Sequence, residues 1–167
     1  MSDPAQPTFL VSAHSDPVVV KVNGKANYLN CNSFREFMEM IISGASRRVF
    51  IDFEMCKGMD STFLGILAGT GIELSKLHPS REFVIGNLSD RNYEIICNLG
   101  LQNLLTVSKK STDSSATFDS LQDQEVSDTR SILKAHEDLT VADERNISKF
   151  QDVTTFLRNQ VEKHDKD

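Results

Sequence analysis

The residues best placed to do chemistry are Met59-Asp60-Ser61-Thr62-Phe63-Leu64-Gly65. An acid and two hydroxyls ahead of an apolar run mark a helix start, with Asp60 as the cap and Ser61 at the first helical position. The Ser61 hydroxyl then lies near backbone N–H groups that have no partner within the helix. A phosphate placed there meets the positive end of the helix dipole. It also adds about two negative charges beside Asp60. Such a change would switch any partner docked on this helix start. Helix capping alone accounts for the same three side chains, so local spacing leaves both readings open.

Other reactive residues form no set. His14, His78, His136 and His164 share no metal-ligand spacing with one another or with Cys31, Cys56 and Cys97. No Gly-x-Ser-x-Gly elbow is present. Gly65, Gly69 and Gly71 fall inside the helix rather than before it, so they suit close packing of the helix on a sheet, not a phosphate loop. No catalytic residue, metal or cofactor is expected.

The elements that must position Ser61 are legible on either side of it. Thr8–Ala13 and Val18–Val22 are β-rich runs around Ser15-Asp16-Pro17 and read as a hairpin, ended by Asn23-Gly24. Ser33–Ser43 carries Phe34, Phe37, Met38, Ile41 and Ile42 at helical spacing, with Gly44 as C-cap. Arg48–Phe53 is a continuous apolar run that suits a strand buried on both faces. A loop over Glu54–Met59 then leads to Asp60 and a helix reaching Leu77, stopped by Pro79. Arg81–Gly86 is a strand, Ser89–Leu99 a helix closed by Gly100, and Leu104–Val107 a last strand. The order ββαβαβαβ predicts an α/β fold, a mixed sheet with helices packed on one face. Leu64 and Leu67 take the inward positions of the switch helix. Phe63 is therefore expected to be at least partly exposed, as a partner anchor, the alternative being a core place under Glu54–Met59.

Composition changes near Lys109-Lys110. All 8 Gly and all 4 Pro precede residue 101, and residues 111–167 carry 13 acids against 7 bases, the whole net charge of -6. The division expected is a mixed domain over 1–110 and an acidic helical extension over 111–167, joined by the polar stretch Thr112–Thr117. Val126–Glu137 is one helix. Thr140-Val141-Ala142-Asp143 resembles a capping box opening a second. In that second helix Ile147, Phe150, Thr154, Leu157 and Val161 recur at alternating three and four residues, joined by Val153 and Phe156. So much apolar surface on one helix needs cover. A symmetric homodimer through Ile147, Phe150, Leu157 and Val161 is the favoured arrangement. Folding back on the same chain, for instance on the open face of the sheet, is the other.

An acidic chain with no basic face argues against nucleic acid. No run approaches the ~18 apolar residues of a membrane span. Met1-Ser2-Asp3-Pro4 lacks the start of a signal peptide, and three widely spaced cysteines suit reduced, mostly buried thiols. A cytoplasmic location is expected.

Val49–Phe53 followed by Met59-Asp60-Ser61-Thr62-x-Leu64-Gly65 resembles the signature of STAS domains, the sulfate-transporter and anti-sigma-factor-antagonist fold. Val20-Lys21-Val22-Asn23-Gly24 is similar to that family's second strand, and Asn98-Leu99-Gly100-Leu101 to its small-Gly-Leu after the third helix. The resemblance covers roughly residues 8–108. It implies a protein-binding module resembling an anti-sigma factor antagonist in a partner-switching pathway, not a catalyst. Ser61 falls where the family carries its phosphorylated serine. The implied partners are an anti-sigma factor that is also a serine kinase, and a phosphatase. The implied partner face holds Asp60, Ser61, Thr62, Phe63 and Asn27. Phe63 stands where the family usually has Gly, and Lys25-Ala26-Asn27 where it often has an acid. The alternative implied by the resemblance is a non-catalytic subunit bracing a transporter or another signalling complex.

Overall fold

The computed structural model describes residues 7–44, 48–79, 81–108, 117–121 and 125–166. The expected boundary at Lys109-Lys110 and nearly all of Thr112–Thr117 lie outside these residues, as do Met1 to Pro4.

Two apolar runs form the antiparallel hairpin, β1 (Phe9–Ser12) and β2 (Val18–Val22). The turn between them contains a cis Asp16–Pro17 bond and is closed by Ser15 Oγ, which donates to the Pro17 carbonyl at 2.8 Å. β3 (Gly24–Ala26), α1 (Asn32–Ser43), β4 (Val49–Asp52) and β5 (Cys56–Met59) follow. Then come α2 (Ser61–Leu77), β6 (Phe83–Gly86), α3 (Asp90–Asn98), a single 3-10 turn at Leu101–Asn103 and β7 (Thr106–Ser108). β8 (Asp119–Ser120), α4 (Thr129–Ala142) and α5 (Asn146–Asp165) complete the chain.

Six strands form one mixed sheet in the order β7-β6-β4-β2-β1-β8. The pairs from β2 to β7 are parallel, and β1 is antiparallel to both β2 and β8. Each crossover from β2 through β7 steps one place in the same direction. With right-handed connections, that puts α1, α2 and α3 on one face. The register aligns Val11, Val20, Ile51, Ile85 and Val107 across the sheet. Of these, Val20, Ile51 and Ile85 are wholly buried in the core shared with the helices. Phe50 and Val19 belong to the alternate set of positions and are buried too. Strand β4 is thus covered on both faces, as its unbroken apolar run predicts.

A second, two-stranded sheet pairs β3 with β5 in parallel. Sequence periodicity predicts a turn and a loop here. Both segments are short and hold Gly and Lys, so no alternation announces them. Gly24 adopts φ +74°, a conformation that suits glycine and lets the chain swing out of β2 into β3. Its N–H donates to the Met55 carbonyl at 2.8 Å.

The tail forms a helical hairpin. Thr140, Val141 and Ala142 end α4 instead of opening the next helix, and Asp143 is its C-cap. The capping-box reading fails because Asp143 is engaged elsewhere: its carboxylate binds the Arg145 backbone N–H at 2.9 Å and the Arg145 guanidinium at 2.6 Å, which shapes the turn into α5. α4 lies along α2, and α5 packs on α4.

The three cysteines are free thiols. Burial pushes the Cys31 thiol up to about 11, and also raises Cys56. Cys97 is only half-buried. The thiolate is the reactive form, so an alkylating reagent at pH 8 should modify Cys97 well before Cys31 or Cys56. Timed labelling of the native protein with peptide mass spectrometry reads the order; early modification of Cys31 would contradict this packing.

Candidate functional site

The short β3–β5 pair builds the site. It carries Ala26 and Met59 side by side, and Asp60 N–H donates to the Ala26 carbonyl at 3.0 Å. The residues that follow each strand, Asn27 and Asp60, are thereby brought together. Asn27 folds the next loop: its Oδ1 accepts from Leu29 N–H at 2.9 Å, and its carbonyl accepts from Asn30 and Cys31. Asp60 then uses both carboxylate oxygens. Oδ1 accepts the Phe63 backbone N–H at 2.9 Å and caps α2, while Oδ2 accepts the Tyr28 N–H at 2.9 Å. The cap predicted from sequence is therefore present, and it also pins the 27–30 loop. A cap of this kind contributes about 1 kcal/mol.

Ser61 is the first residue of α2 and is partly buried. Its hydroxyl lies 2.8 Å from His136 Nε2, on α4. His136 Nδ1 is 2.7 Å from the Ile132 carbonyl. A carbonyl only accepts, so Nδ1 carries the proton and in the neutral ring Nε2 is an acceptor. Ser61 is then the donor to His136. The ring is 3% exposed and meets the Phe150 ring edge-on, with centroids 5.5 Å apart. The sequence considers His136 only as a metal ligand. Its role becomes visible once α4 is laid on α2, a contact no spacing within 129–142 encodes.

The contact between these helices is close. A Cβ on Gly65 would overlap the Ala135 backbone carbonyl, and one on Gly69 would meet the Asp138 carboxylate. These two glycines therefore serve packing of helix on helix, not of helix on sheet. Gly71 lets α2 approach Leu104 and Leu105 instead.

Two expected partner residues are not at the surface. Phe63 is 0% exposed and sits among Phe9, Phe34 and Phe53, with ring centroids 5.0 to 6.3 Å away. Thr62 is buried as well. The expectation that Leu64 and Leu67 alone turn inward fails because α2 is covered on two sides, by the core and by α4. Phe63, Leu64 and Leu67 are all buried. Asn27, Asp60 and Ser61 remain partly accessible, beside the exposed Tyr28 and Leu29.

The α5 stripe divides. Phe150, Thr154, Leu157 and Val161, at the spacing of a packing seam, are the less exposed positions of the helix, and α4 is its neighbour. Phe150 reaches the core. Ile147, Val153 and Phe156 stay exposed, at 52%, 44% and 62%. The seam legible in the sequence thus has an intramolecular partner, α4, and not the open face of the sheet. Phe150, Leu157 and Val161 are half-buried, so each keeps area that α4 does not cover.

No protein-family model matches the chain, and no curated protein matches it. Among solved structures, that of the anti-sigma factor antagonist SpoIIAA in its unphosphorylated form is similar. The two share 19% identity with a TM-score of 0.52, over 62% of this chain and 89% of SpoIIAA. The likeness shows a STAS-like α/β fold, that of an anti-sigma factor antagonist. Among the described residues no helix is long and apolar enough to cross a membrane.

Two outcomes follow from this packing. Phe63→Ala should lower stability by about 3–5 kcal/mol, the cost of emptying a buried aromatic site, measured by denaturant unfolding. A change under ~1 kcal/mol would mean that Phe63 is not core. Light scattering of the full chain at ~100 μM should give a monomer, because α4 already takes one side of the seam. A stable dimer would mean that α5 exchanges α4 for a neighbour.

Proposed function

We propose that this chain is a protein-binding module switched by phosphorylation of Ser61, resembling an anti-sigma factor antagonist in a partner-switching pathway. The observation that carries the reading is the Asp60-capped start of α2, with Ser61 at its first position, on a fold similar to SpoIIAA. The surface offered to a partner comprises Asn27, Tyr28, Leu29, Asp60 and Ser61. It is held rigid by the β3–β5 pair and by both oxygens of Asp60. The protein works by being bound, in the cytoplasm, and not by catalysis.

The modifying partner is a serine kinase that is itself an anti-sigma factor. Ser61 Oγ attacks the γ-phosphorus of a nucleoside triphosphate held by that kinase. The bond to the bridging β-phosphate oxygen breaks, and the hydroxyl proton passes to a base of the kinase. The product carries about two negative charges next to the Asp60 carboxylate. A partner surface that accepts Asp60 and a neutral hydroxyl then faces like-charge crowding, and binding weakens. A phosphatase restores the hydroxyl by transfer of the phosphoryl group to water.

With its cognate kinase and nucleoside triphosphate, the full chain should gain one phosphate, on Ser61, read by peptide mass spectrometry. Ser61→Ala should abolish it. Ser61→Asp should weaken binding to the unphosphorylated form's partner by about 1–3 kcal/mol, measured by calorimetry. Phosphate confined to Thr62 or to the tail would overturn the assignment.

A further inference from the structure

Ser61 keeps some exposure, but its hydroxyl is turned toward α4. Its hydroxyl donates to an almost wholly buried histidine, and the helix bearing that histidine lies against the first two turns of α2. We propose that the α4–α5 hairpin is an intramolecular occupant of the Ser61 face, and that its docking and a phosphate on Ser61 exclude one another. The proposal rests on Ser61 being the modified residue. It adds that the chain carries its own competitor for the face its partners use.

Three observations support exclusion. The first is space. Nε2 already lies 2.8 Å from Oγ, and the ring is closed in by Phe150, so a phosphate cannot occupy the hydroxyl's present place while α4 is seated. The second is hydrogen-bond polarity. Nδ1 is committed to the Ile132 carbonyl, so the neutral ring presents a lone pair to Ser61. A hydroxyl has a proton to give to it. A phosphate dianion has none, so the contact survives only if Nε2 first gains a proton. The third is access. A kinase must bring a phosphorus atom in line with Oγ, and the hydroxyl is turned toward α4.

The hairpin is tied to itself by charge. Its ion pairs among the described residues join tail to tail: Lys134 with Asp138, Arg145 with Asp143, Arg158 with Glu137, and Arg130 with Asp165. Toward the rest of the chain the links are hydrogen bonds, among them Ser61 to His136 and the Cys31 thiol against the Ser127 hydroxyl, besides the apolar seat of Ala135 and Leu139 in the core. Ser127 N–H donates to the Tyr28 carbonyl, Asn146 Nδ2 to Leu99, and Lys149 Nζ to Asn98. The seat against α1 is incomplete. A cavity of about 260 Å³ remains between α1, α2 and α4, lined by Arg35, Glu73, Lys134 and Asp138 among others. Ser127 precedes Asp128, the cap of α4, and its N–H is tied to the loop that Asp60 pins. A partner that displaces this loop from Asp60 therefore also loosens the start of α4.

Hydrogen exchange on the full chain tests this without a kinase. Ser61→Glu places a carboxylate where the phosphate would be. Gly65→Ala places a methyl group against the Ala135 carbonyl, leaving Ser61 intact. In both, amides of α4 and α5 should exchange at least ~10-fold faster, while those of β1, β2, β4 and β6 keep their protection. Unchanged protection of α4 and α5 in Ser61→Glu overturns the proposal. Protection lost also from the sheet would mark a folding defect in that variant, and a cross-link then decides. A Cβ on Gly69 lies 3.6 Å from Asp138 Cβ, within disulfide reach. Gly69→Cys with Asp138→Cys, in a Cys97→Ser background, should lock the hairpin when oxidised. The oxidised protein should take phosphate on Ser61 at least ~10-fold more slowly than the reduced one, and equal rates reject the proposal. If no form of the protein accepts phosphate on Ser61, the switch reading fails, and the exchange result still reports whether a charge at Ser61 expels α4.

Discussion

The arrangement depends on one carboxylate. Asp60 accepts from Phe63 N–H through one oxygen and from Tyr28 N–H through the other, while its own N–H is held by Ala26. It ties the start of α2 to a stretch more than thirty residues earlier, the end of β3 and the loop that follows it into α1. The Tyr28 carbonyl passes the constraint on to Ser127, one residue before the cap of α4. Loss of the carboxylate would leave two backbone donors without their acceptor, and a partly buried donor left unmade costs more than the bond itself contributes. The same group therefore fixes the helix, the loop and the approach of the tail.

Helix α2 shows why its surroundings fit together. Thr62, Phe63, Leu64, Gly65, Ile66, Leu67 and Ala68 are all buried. A helix apolar on every side has to be covered on every side. The sheet and α1 cover part of it, and α4 covers the rest. Small residues at 65 and 69 let α4 come close enough for His136 to reach Ser61. The helix that carries Ser61 is at once a core element and the seat of the tail.

Much of this was legible in the sequence. The hairpin, the buried strand β4, the Asp60 cap of α2 and the alternation of the main-sheet strands with α1, α2 and α3 follow from apolar periodicity and from Asp and Gly at helix ends. The β3–β5 pair did not show, since three- and four-residue strands containing Gly and Lys carry no alternation. Phe63 was read by helical spacing alone, which assumes one buried face, whereas α2 has two. The continuous apolar run from Phe63 to Ala68 was the available signal. The α5 seam is legible as a seam; that α4 lies against it is not, because heptad spacing says nothing about which helix fills it. His136 could be placed only by tertiary contact.

Asn146 gives the hairpin its address. The side chain is 0% exposed, and its amide donates both to Leu99, outside the hairpin, and to Leu139, within α4. Its Oδ1 finds no partner among the described residues. A buried amide of this kind adds little net stability, but it tolerates few positions, because any shift strands its donors in apolar surroundings. A tail held only by leucines could slide by a turn and still bury its stripe. With Asn146 in place, it has a single register, and His136 arrives opposite Ser61 each time the tail returns.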